Sequence, residues 1–65
     1  MNVSFVLEQL KKKYECKIHP TDKNALVVYN ISWEQFGRVC KKYGCSGYYL
    51  EEKSISVLTN FGKYR

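Results

Sequence analysis

The residues best equipped for chemistry come in two matching sets. Lys12-Lys13-Tyr14-x-Cys16 recurs 29 residues later as Lys41-Lys42-Tyr43-x-Cys45, with Lys11 and Arg38 enlarging the two cationic clusters. Ammonium and guanidinium groups gathered in this way neutralise phosphates, and such binding is salt-sensitive and largely blind to base sequence. The plainer reading is that lysines near helix C-termini complement the macrodipole and keep the surface hydrated. The sequence carries no recognition helix of a helix-turn-helix, no RNP motif and no glycine-rich KH loop.

Thiols and imidazole form a second constellation. Cys16-x-x-His19 and Cys40-x4-Cys45 supply four ligands, the number a tetrahedral zinc site takes. Two positions three apart on a strand face opposite ways, however, and Cys40 falls on the apolar stripe of a helix, so buried free thiols are the expectation and no metal is assigned. A Cys–His nucleophile needs a third group to orient the imidazole, and no acid stands in an evident relation to His19. Gly37, Gly44, Gly47 and Gly62 are scattered, leaving no phosphate-cradling loop and no nucleophile elbow. The expectation is a protein without enzymatic activity or cofactor.

The elements that position these groups follow from periodicity. Val3, Val6, Leu7, Leu10 and Tyr14 form the stripe of an amphipathic helix over residues 2–14, with Asn2 or Ser4 as N-cap and Lys11–Lys13 in the last turn. Residues 15–20 and 25–31 read as a hairpin around a turn at residues 20–24. Ser32-x-x-Gln35 is a capping box, and Trp33, Phe36, Val39, Cys40 and Tyr43 continue at helical spacing to a C′ glycine at Gly44. Ser46–Leu50 and Ser54–Asn60, separated by Glu51-Glu52-Lys53, predict a second hairpin. The tail from Phe61 carries no periodic signal.

The 29-residue shift also aligns Leu7 with Phe36, Leu10 with Val39, Leu26 with Ile55 and Val28 with Val57. It implies a duplicated αββ-αββ chain, with pseudo-repeats over 2–30 and 31–59 and a tail over 60–65. The fold class expected is α+β, a single domain in which a four-stranded antiparallel sheet carries both helices on one face. Alternation then directs Cys16, Ile18, Leu26, Val28, Ile55 and Val57 toward the helices. The opposite face receives Lys17, His19, Val27, Tyr29, Tyr48, Ser56 and Leu58. His19, Tyr29 and Tyr48 are of the types that stack on bases. Equally, Phe5, His19, Tyr29, Tyr48 and Leu58 are of the types that anchor a partner or a homodimer.

Charge and size rank these readings. Eleven Lys and Arg against six Asp and Glu give +5, which favours anionic partners and excludes an acidic DNA mimic. Sixty-five residues form one domain with a marginal core, too small for a deep catalytic cleft and helped by a second copy or a partner. Three cysteines, an odd number behind no secretory segment, suit a reducing, cytoplasmic setting, and no apolar run is long enough to span a membrane. The leading expectation is a small basic protein contacting nucleic acid, chiefly its phosphates, through Lys11, Lys12, Lys13, Arg38, Lys41 and Lys42. The alternative is a protein-binding inhibitor or adaptor, for example a phage-encoded regulator of a host enzyme, docking through Phe5 and the open sheet face.

Overall fold

The computed structural model describes residues 3–61. The chain runs α1 (Val3–Leu10), β1 (Glu15–His19), β2 (Asp22–Tyr29), α2 (Trp33–Tyr43), β3 (Ser46–Leu50), a 3₁₀ turn over Glu51–Lys53, and β4 (Ile55–Thr59). The order is αββ-αββ. All strands pair antiparallel in the order β1-β2-β4-β3, so two hairpins meet along a β2–β4 seam. Helix α1 packs over β1 and β2, and α2 packs over β3.

Helix α2 is set by local chemistry at both ends. The Ser32 hydroxyl accepts the Gln35 backbone N–H at 3.2 Å, and the Gln35 side-chain Oε1 accepts the Ser32 backbone N–H at 3.0 Å. This reciprocal pair satisfies two of the donors that a helix start leaves open. At the other end Gly44 adopts the left-handed region (φ 63°), and its N–H donates to the Cys40 carbonyl. A residue with a Cβ resists that conformation.

Helix α1 is shorter than its stripe suggested. It ends at Leu10, and Lys11–Lys13 form a turn beyond it instead of a last helical turn. The winding tightens as the Lys13 and Tyr14 N–H groups both donate to the Leu10 carbonyl, at 3.0 and 2.8 Å. No glycine closes the end, and the helix finishes in this tightened turn while Tyr14 packs on the core. Ser4 lies inside the helix rather than capping it, and the other proposed cap, Asn2, lies outside the described residues.

Cross-strand rows define the two faces of the sheet. Toward the helices run Cys16–Val28–Ser56–Tyr49 and Ile18–Leu26–Leu58–Gly47, while Lys17–Val27–Val57–Tyr48 crosses the open face. Leu26, Val28 and Leu58 are fully buried there with Val6 and Ile31, and Phe36 and Val39 of α2 pack in the same core, nearly as buried.

The assignment of β4 from the 29-residue shift is therefore reversed. Ser56 and Leu58 face the core, and Ile55 and Val57 face the open side. The cause is the length of the hairpins. Lys17 pairs with Val27, ten residues on, whereas its counterpart Ser46 pairs with Thr59, thirteen residues on. With a side-chain period of two, a difference of three residues turns the whole strand over.

Three smaller corrections follow the same logic of packing. β2 starts at Asp22, inside the expected turn, because His19 pairs with Asp22 across a register shift after Ile18. Trp33, assigned to the core stripe, is 65% exposed. It stands at the start of α2, with its ring 5.6 Å from Phe36 and 5.8 Å from Tyr49. Phe61, assigned to a loose tail, packs against the core; residues 62–65 lie outside the described residues.

Candidate nucleic-acid interface

A groove of about 530 Å³ lies between the end of α1 with its following turn and the exposed flank of α2. Lys12, Lys13, Arg38 and Lys42 converge on it, and Leu10 and Val39 contribute its apolar part. Tyr14 and Tyr43 add aromatic surface, and Gln9 and Gln35 add neutral donors and acceptors. Among its described lining residues there is no carboxylate. The Lys42 ammonium sits 5.5 Å from the centre of the Tyr43 ring, a cation–π contact that restrains the long side chain beside the groove.

The lining is built from both halves of the chain. Gln9 and Arg38, Leu10 and Val39, Lys13 and Lys42, and Tyr14 and Tyr43 are four pairs of residues 29 apart. The helices position the first two pairs at helical spacing; of the others, Lys13 and Tyr14 follow α1 in its closing turn, while Lys42 and Tyr43 are in the last turn of α2. Of the six cations named from sequence, Lys12, Lys13, Arg38 and Lys42 meet here; Lys11 and Lys41 are exposed but lie outside the groove. The two tyrosines and two glutamines were not singled out as site residues. The Lys-Lys-Tyr repeat was the available signal for the tyrosines; Gln35 was marked only as a capping residue, and nothing local marked Gln9.

The residues expected to form a second surface do not gather. Leu58 is fully buried in the core and is removed from any surface. Tyr29 is on β2 and Tyr48 on β3, with β4 between them. His19 lies at the opposite end of the first hairpin from Tyr29, and its Nδ1 accepts the Thr21 N–H at 3.1 Å. Lys17 rests over the Tyr29 ring at 5.6 Å. Tyr48 is 54% exposed, and Phe5 is 51% exposed on α1.

The thiols do not converge with the imidazole. Cys16 faces the core from β1, and burial pushes its pKa up to about 11, partly offset by the Lys11 charge. Burial likewise pushes Cys45 up to about 12 and raises Cys40. Among the described residues no group of three or more His, Cys, Asp or Glu is placed to hold a metal ion. Nor is any described helix long and apolar enough to cross a membrane.

The fold and the groove together define a small two-layer α+β protein with a cationic cleft on its helical side. No protein-family model, curated protein or solved structure matches the chain.

Proposed function

We propose that this chain is a non-enzymatic binding protein that contacts the phosphate backbone of nucleic acid through the groove between its helices. The observation that carries the reading is the meeting of Lys12, Lys13, Arg38 and Lys42 around one cleft with no acid among its described lining residues. Four cations set around a recess engage successive phosphates, while Tyr14 and Tyr43 offer flat surfaces to sugar or base.

The test is binding of a fluorescent oligonucleotide, single- and double-stranded, followed by anisotropy over a range of salt. If each groove cation neutralises one phosphate, log K falls against log salt with a slope of about −3.6 on duplex and about −2.8 on single strands. Replacing Lys13 and Lys42 together by Ala lowers the magnitude of that slope by about 1.8 on duplex, whereas Lys53→Ala, on the 3₁₀ turn, leaves it unchanged. Absence of binding at low salt, or a slope indifferent to the double substitution, overturns the reading.

A second reading rests on the open sheet face, where neither described helix packs and Tyr48 and Leu50 remain 54% and 42% exposed. In this reading the chain is an inhibitor or adaptor that docks a protein through this face and Phe5, or a second copy to form a homodimer. It predicts one stoichiometric protein partner retained after nuclease treatment, or a dimer in sedimentation, either of them lost in Tyr48→Ala.

A further inference from the structure

Cys40 and Cys45 are held side by side by the structure that ends α2. The N–H groups of Gly44 and Cys45 both donate to the Cys40 carbonyl, the latter at 3.1 Å. The Cys45 bond is the 6→1 bond of a Schellman cap and the Gly44 bond the 5→1 bond of an αL cap, and in such caps the residue after the left-handed glycine packs near the residue three positions before the helix end. Here the two residues that the cap brings together are both cysteines, joined through the Cys45 N–H and the Cys40 carbonyl. Cys16 is on β1, at the other edge of the sheet from β3, which Cys45 immediately precedes. Three strand spacings of ~4.8 Å put it roughly 14 Å away, beyond the reach of a disulfide.

We propose that Cys40 and Cys45 form an intramolecular disulfide when the chain meets a disulfide oxidant such as oxidised glutathione. Cys40, the more exposed of the two, loses its proton to solvent and its thiolate attacks one sulfur of glutathione disulfide. The glutathione S–S bond breaks and one glutathione thiolate leaves. Cys45 then loses its proton and attacks the Cys40 sulfur, displacing the second glutathione. The net reaction oxidises the protein dithiol by two electrons and reduces one glutathione disulfide to two thiols. The bond closes a loop that contains Lys42 and Tyr43, so it fixes the cap beneath one wall of the groove. The chemistry of closure stands whether or not that groove binds nucleic acid.

The test is equilibration of the full chain in glutathione buffers, quenching with an alkylating agent, and mass spectrometry of the peptides. The expected product has lost two hydrogens, carries the alkyl group on Cys16 alone, and maps the bridge to Cys40 and Cys45. Cys16→Ser retains that product. Cys40→Ser and Cys45→Ser each abolish it. In urea, where the cap is gone, the ratio of bridged to reduced chain at the same buffer falls roughly tenfold. A stable glutathione adduct in place of the bridge, a bridge that includes Cys16, or a ratio unchanged by urea overturns the proposal.

Discussion

The two hairpins occupy equivalent places in the αββ-αββ order and solve the same problem differently. The first turns sharply through Pro20 and Thr21 and absorbs its surplus residues in a register shift next to Ile18. The second pairs all five residues of β3 and turns through a 3₁₀ segment closed by Ser54 in the left-handed region (φ 54°). Where the first hairpin has Ile18 opposite Leu26, the second has Gly47 opposite Leu58. A side chain on one edge is thus replaced by close backbone approach on the other. Related patterns along a chain do not ensure related packing, because hairpin length decides which side of each strand is buried.

The contrast is broken most severely at that pair. A Cβ on Gly47 would lie 1.9 Å from the Val57 carbonyl oxygen, and rigid backbone cannot move aside cheaply. Gly47→Ala is expected to cost about 3 kcal/mol or to prevent folding. Ile18→Ala, at a site 41% exposed, is expected to cost about 1 kcal/mol or less. Urea denaturation of both variants measures the difference, and equal losses would show the two edges to be alike after all.

The helices offer the next test. Ser32 caps α2, whereas its counterpart 29 residues earlier is Val3, the first residue of α1. Ser32→Ala is expected to lose about 1 kcal/mol in the same assay, and a neutral result would mean that packing alone holds the start of α2.

Ser56 runs the other way. It stands between Val28 and Tyr49 in the core, fully buried, and its hydroxyl has no hydrogen-bond partner among the described residues. Ser56→Ala is expected to raise stability by up to about 1 kcal/mol by removing a desolvated polar group. A loss would show that the hydroxyl is satisfied in solution.

The smallest effect is alkaline. Cys16 and Cys45 have folded pKa values of about 11 and about 12 against an ordinary 9.0, so folding favours the neutral thiols. Their contribution is complete below pH 9.0 and is lost as pH climbs through those folded values. Cys16→Ala should flatten the first part of that decline in a pH series of melts. An unchanged profile would assign the decline to other groups.

Much of the fold was legible because its signals are local. Ser32, Gln35 and Gly44 mark the ends of α2 by chemistry that acts within a few residues, and the apolar stripe of α1 is periodic on its own. The facing of β4 was not legible, since it depends on how many residues the second hairpin takes before Ser46 meets Thr59. Alternation along ISVLT permits either face, and only partners from distant positions choose between Val57 and Leu58. The candidate site divides in the same way. Its cations were readable as clusters, but that Lys13 and Lys42 share one cleft is a consequence of tertiary packing, as is the loss of Leu58 from the surface.

The β2–β4 seam has a kinetic corollary. Leu26 meets Leu58 across 32 residues of chain, and these central pairings join the hairpins into one sheet. Hairpins close within microseconds, but a long loop must be drawn in before the seam forms. Folding is therefore expected to wait on the docking of two partly ordered halves. The groove, with walls from both, is completed at that final event, and if it binds a polyanion as proposed, the bound chain would act as a clasp that slows their parting.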